Sequence, residues 1–183
     1  STELSLGATA EAGVRRTSGL GWYDARSRMP DNYRYMPGYA ADPDRHAELE
    51  AVWRSGDWHY TQIDWDELYR ENALQGGHSA YFVADRAERL LRMQFSAEGR
   101  TDPGGRFVVR YGVEAGYERM RRYREMRDLL GGEYIIDRDQ YLLDDDAYGT
   151  LLQNDLRRPD RVIREGGRFG YDYAAATSRL RVW

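Results

Sequence analysis

Arg106–Asp139, RFVVRYGVEAGYERMRRYREMRDLLGGEYIIDRD, is the stretch on which the fold turns. It reads as a strand over 106–111, a long helix over 113–130, a stop at Gly131-Gly132, and a second strand over 133–137 that runs into an acidic turn. Phe107, Val108, Val109 and Tyr111 give the first strand its apolar character. Val113, Tyr117, Met120, Tyr123 and Leu130 share one sector at helical spacing, which commits that face to packing. Arginines and acids fill the rest, with several opposite charges three or four residues apart. Strand, helix and strand in succession imply a βαβ unit, with a right-handed crossover if the strands are parallel.

Working outward, Ser79–Val83 reads as a brief strand and 84–96 as a helix with Ala87, Leu90, Leu91, Met93 and Phe95 apolar. Arg86, Arg89 and Arg92 recur every third residue, the pattern of a solvated helix face. Further upstream, Asp42-Pro43 is an N-cap followed by a first-turn proline and opens a helix over 43–55. Asp64 opens another over 64–75, which Gly76-Gly77 ends. Downstream, Asp144–Asp146 load the start of a helix expected over 145–156. The expected fold class is α+β and helix-rich: a small sheet (79–83, 106–111, 133–137) packed by these helices. Residues 1–42 read as an extended aromatic arm, 43–156 as a single globular body, and 157–183 as a basic aromatic tail.

The 183 residues suffice for one domain with a core of its own. Hydrophobic residues are 41% and charged residues 32%, so much of the chain faces a polar medium. Without cysteine there is no disulfide, thiol nucleophile or Cys-ligated metal. No run approaches the ~18 apolar residues of a membrane helix, so no membrane span is expected. All 27 basic residues are arginine, and the chain holds 15 tyrosines. Arginine with tyrosine favours stacked and bidentate interface contacts. Charge separates along the chain: Glu133–Asp155 holds seven acids against Arg138, and Arg157–Trp183 seven arginines against three acids.

The strongest chemical candidate is EYIIDRD, where a hydrophobic strand ends in Asp137-x-Asp139 with both carboxylates on one side. This resembles the first motif of haloacid-dehalogenase-type phosphotransferases and the Asp-x-Asp of metal-dependent glycosyltransferases. The resemblance implies a Mg²⁺ or Mn²⁺ ligand pair and phosphoryl or glycosyl transfer. The dehalogenase pattern continues with a small turn residue and Thr or Val, whereas Gln140 and Tyr141 follow here, and no lysine stands ready to balance the charge. His46, His59 and His78 have no compact metal-ligand spacing. Neither a serine elbow nor a glycine-rich phosphate loop is present.

These readings lead to a non-catalytic structural or accessory subunit of a larger assembly, such as an organellar complex or a virion, with no cofactor. It docks on other protein subunits through its arm and tail, using Trp22, Tyr23, Tyr33, Tyr35, Tyr39, Arg168, Tyr171, Tyr173, Arg179, Arg181 and Trp183. One alternative is a metal-dependent transfer enzyme built on Asp137 and Asp139; another is a secreted effector depleted of lysine. Nucleic acid is a lesser candidate through 157–183, because the net charge is −4.

Overall fold

The computed structural model of the chain describes residues 1–23, 25–139 and 153–183. Half of the described residues are strand. Four long strands, β1 (Thr2–Trp22), β2 (Tyr81–Thr101), β3 (Val109–Asp128) and β6 (Arg168–Val182), form one antiparallel sheet in the order β1-β2-β3-β6. Two short strands, β4 (Ile135–Ile136) and β5 (Val162–Ile163), pair antiparallel by themselves. The helices are α1 (Pro43–Ser55), α2 (Trp58–Thr61) and α3 (Trp65–Ala73).

The helix-rich α+β expectation is therefore overturned. The expected helix over 113–130 lies in β3, and that over 84–96 lies within β2. The strands expected at 79–83 and 106–111 are the beginnings of these long strands, and only two residues of 133–137 are strand. The first half of the arm is β1, and the tail from Arg168 is β6. The helix expected over 145–156 lies mostly outside the described residues; Gln153 at its described end makes a bridge to Arg138.

Local chemistry explains the correction. In 109–117, apolar Val109, Tyr111, Val113, Ala115 and Tyr117 alternate with Arg110, Gly112, Glu114 and Gly116. That is the period of a strand with two unlike faces. A helix there would carry Gly112 and Gly116 at about 1 kcal/mol each relative to alanine, while valine and tyrosine favour the pleated surface. β1 alternates too, with Leu4, Leu6, Ala8, Ala10, Ala12 and Val14 separated by Glu3, Ser5, Gly7, Thr9, Glu11 and Gly13.

The chain divides into two compact units, residues 1–17, 86–124 and 171–183 in the first and 18–85 and 125–170 in the second. The second contains the cores. Leu68 of α3, Ala80, Tyr81 and Leu130 pack together, joined by Leu20, Trp22, Ile63 and Val83. Phe82, Ala84, Met126, Leu129, Ile135, Ile163 and Phe169 form the other cluster, joined by Tyr23. Helix α3 thus covers one sheet face and the β4–β5 pair covers the other.

Asn72, 1% exposed, ties α3 to this sheet. Its Nδ2 donates to the carbonyls of Tyr81, Leu129 and Leu130 at 2.8, 3.0 and 3.1 Å, and its Oδ1 accepts from the Tyr81 amide at 2.9 Å. α3 begins where Asp64 accepts from the Glu67 amide, and α1 where Asp42 accepts from that of Asp44.

The first unit is built differently. It consists of the greater part of each long strand and the turn between β2 and β3, with no second layer among the described residues. β1 and β2 keep one antiparallel register, seen in the mutual backbone bonds of Ser1 and Asp102 and the side-chain pairs Thr9–Gln94 and Glu11–Arg92. β3 and β6 are locked by reciprocal backbone bonds between Gly112 and Trp183. Two aromatic rings close over glycines of neighbouring strands: a Cβ on Gly99 would lie 2.3 Å from the Tyr111 ring, and one on Gly112 2.5 Å from that of Trp183.

Candidate functional site

The strand register sorts the side chains of the first unit onto two unlike faces. One carries Leu4, Leu6, Ala8, Ala10, Ala12 and Val14 of β1 and Leu91, Met93, Phe95 and Ala97 of β2. It continues with Val109, Tyr111, Val113, Ala115 and Tyr117 of β3 and Ala174, Ala176, Leu180 and Val182 of β6. These side chains meet solvent: Leu4 is 66% exposed, Leu180 73% and Val182 72%. A contiguous apolar surface of this kind marks a place where something other than water belongs.

The opposite face is charged and cross-linked. Arg92 donates to Glu118 at 2.9 Å and Glu11 at 3.1 Å, joining three strands, and Arg122 meets Glu88 at 2.8 Å. Glu118 and Glu11 hold the Arg92 guanidinium above its ordinary pKa, its hydrogen bond to Glu118 contributing most. Exposed pairs of this sort contribute ~0–1 kcal/mol each, so their effect is chiefly to fix which residues stand opposite. At its margins the sheet is open: among the described residues no strand pairs with the outer edge of β1 or of β6.

The residues singled out in the sequence lie in several places. Trp22 and Tyr23 are drawn into the cores of the second unit, Tyr23 also meeting the His78 ring at 5.1 Å. Tyr35 belongs to the internal structure: its hydroxyl donates to Ser27 and its carbonyl accepts from the Trp53 indole at 2.9 Å. Tyr33 and Tyr39 remain exposed and touch edge to face at 6.3 Å. Tyr171 and Tyr173 pair at 5.9 Å on β6, which also carries Arg179 and Arg181 and is followed by Trp183. Arg168 begins β6, and its carbonyl accepts from Arg161.

Asp137 and Asp139 fare differently as a chemical pair. Asp137 is 2% exposed, and its carboxylate accepts from Asn154 Nδ2 at 2.9 Å, the Gly170 amide at 3.0 Å and the Arg161 guanidinium. Through these three bonds it ties the β4–β5 region to the start of β6. Asp139 is half-buried just beyond β4. Among the described residues no group of three or more His, Cys, Asp or Glu is arranged to hold a metal ion.

A cleft of about 360 Å³ in the second unit is lined by Leu49, Val52, Trp53 and Tyr60, with charged residues around them. Those charges pair with one another, Arg28 with Glu67 and Glu71, and Arg45 with Glu48. Burial opposes the Arg28 charge, but bonds to Tyr81 and Glu71 outweigh it and raise the guanidinium pKa. Asp64, a third carboxylate of the lining beside Glu48 and Glu67, accepts from the Glu67 amide at the start of α3.

No protein family, curated protein or solved structure matches the chain. No described helix is long and apolar enough to cross a membrane, a finding that bears on helices alone. The two-faced sheet went unrecognised in the sequence because its signal is alternation spread over four distant segments, each rich in alanine or arginine.

Proposed function

We propose that this chain is a non-catalytic structural element that forms part of the wall of a closed antiparallel β-barrel. The apolar face of the first unit lies against lipid hydrocarbon, and the charged face borders the aqueous interior. Strands of the surrounding assembly complete the sheet at the edges of β1 and β6. β1 and β6 belong to the arm and tail from which the sequence suggested docking, so partner contact there takes the form of strand pairing.

The observation that carries this reading is the exposed apolar face, maintained at every second position over the apolar runs of β1, β2 and β3 and broken on β6 by Ser178. Its extent suits a bilayer. Each apolar run, such as Leu4–Val14 or Val109–Tyr117, covers about ten residues, the length of a tilted membrane-spanning strand, and reaches about 25 Å along the normal. Tyr111 and Tyr117 flank Val113 and Ala115 on β3, in keeping with aromatic residues near the boundaries of such a band. In hydrocarbon every backbone polar group must be paired, so two open edges require further strands and closure.

Neighbouring positions on β2 provide the test. Met93 belongs to the apolar face and Gln94 to the charged one. With the full chain folded into phosphatidylcholine vesicles, Met93→Lys costs about 2–4 kcal/mol of folding free energy, whereas Gln94→Lys costs ~1 kcal/mol or less. Equal costs at the two positions, or a chain that folds into a water-soluble assembly and ignores the vesicles, would refute the lipid-facing wall.

A further inference from the structure

The apolar face ends differently at its two limits. At the limit formed by Thr2, Gly99, Thr101, Val109 and Val182, the side chains of that face carry no charge. At the other limit, Arg16 follows Val14, Arg89 precedes Leu91, and Arg119 and Arg121 follow Tyr117. These four arginines share the apolar face and draw together because neighbouring strands run antiparallel in register. Asp172 on β6 supplies a carboxylate, bonded by Arg121 through both Nε and NH2 at 2.7 Å. Arg89 and Arg119 are exposed and give this end of the face its basic character.

We infer that Arg16, Arg89, Arg119 and Arg121 form a binding belt for the phosphate of anionic lipid headgroups at one surface of the membrane. This inference rests on the lipid-facing reading of the same sheet. An arginine at the end of an apolar band lays its methylene stem along hydrocarbon and lifts its charged end to headgroup depth. There the planar guanidinium offers paired donors that match two oxygens of a phosphate. Arg121 is braced by Asp172, whose hydrogen bond raises its pKa. Its charge is thereby partly balanced within the protein, so Arg89 and Arg119, both exposed, are the positions at which headgroup binding is tested.

The experiment compares partition of the full chain into vesicles of phosphatidylcholine alone and of phosphatidylcholine mixed with phosphatidylglycerol. The native chain is expected to favour the anionic vesicles. In Arg89→Gln/Arg119→Gln that preference falls by about 30-fold, roughly fivefold for each arginine. Insertion into the zwitterionic vesicles stays as in the native chain, which shows that the variant folds. Arg89→Lys/Arg119→Lys keeps the charge and recovers only part of the preference, because paired donors are lost.

Inorganic phosphate, added at constant ionic strength, is expected not to compete. Competition would make this a site for free phosphate and overturn the headgroup assignment. Equal partition of the native chain into both vesicle types, or an unchanged preference in the glutamine variant, would overturn the belt and leave the lipid-facing wall standing. Absence of insertion into either vesicle type would remove the wall and the belt with it.

Discussion

Replacing Asn72 tests how the helical segment is fastened to the sheet in the second unit. Its carboxamide serves one amide and three carbonyls, and both Asn72 and Tyr81 are almost wholly buried. In Asn72→Ala the Tyr81 N–H loses its acceptor, which costs about 1–3 kcal/mol for a buried donor. The Leu130 carbonyl loses the same partner, whereas that of Leu129 keeps Ser79 Oγ at 2.9 Å and the Gly132 amide at 3.0 Å. Adding a smaller amount for the second carbonyl and for lost packing gives about 3 kcal/mol.

Asn72→Asp is more telling because it nearly preserves shape. At neutral pH it points a carboxylate oxygen, with no proton to donate, at three carbonyl oxygens. Folding then favours the protonated acid, and the folded-state pKa rises above that of the unfolded chain. The variant is therefore most stable, relative to its own neutral-pH value, below the unfolded carboxyl pKa, and this stability is lost as pH rises through the folded pKa. Urea unfolding of both variants, followed by tryptophan fluorescence and by hydrogen exchange at the Tyr81 amide, measures these effects. A cost below about 1 kcal/mol for alanine, or a cost for aspartate that does not change between acid and neutral pH, would refute the argument.

Two further predictions concern the same unit. A Cβ on Gly132 would sit 2.0 Å from the Oγ of buried Ser79, so Gly132→Ala is expected to destabilise by about 1–3 kcal/mol, read as a lower denaturant midpoint. Hydrogen bonds from Arg138 and Gln153 hold the Asp160 carboxyl below its ordinary pKa. Its contribution is present above the unfolded carboxyl pKa and lost as pH falls through the folded one, so Asp160→Asn should flatten the acid limb of a stability–pH profile. An unchanged acid limb would contradict that pairing.

Some of the architecture was legible in the sequence, for local reasons. Asp42-Pro43 and Asp64 specify helix starts through side chain–backbone bonds two or three residues away, so no distant partner is needed to recognise them. The long strands lacked that advantage. Val113, Tyr117, Met120 and Tyr123 satisfy a helical period, while Val109, Tyr111, Val113, Ala115 and Tyr117 satisfy a strand period, and both sets share residues. Gly112 and Gly116 were the local signs against a helix.

The arginines misled in a similar way. Arg86, Arg89 and Arg92 make one stripe on a helix, but on β2 Arg92 joins the charged face and Arg89 the end of the apolar one. Alanine, depleted in strands, disguised β1 and the middle of β6. The aromatic residues were a fair guide to packing and a poorer guide to exposure, as Trp22 and Tyr23 against Tyr33 and Tyr39 demonstrate. The apolar face escaped notice because it exists only after four segments far apart in sequence come into register.

That common register constrains how the gene can drift. One codon gained or lost within 2–16, 89–101, 109–121 or 174–182 would turn every later side chain of that strand segment to the opposite face. Length changes that survive there are expected in twos, whereas the turn between β2 and β3, residues 102–108, is free to vary by any number. The parity of insertions among descendants of this sequence would thus record which stretches stand in the wall and which stand outside it.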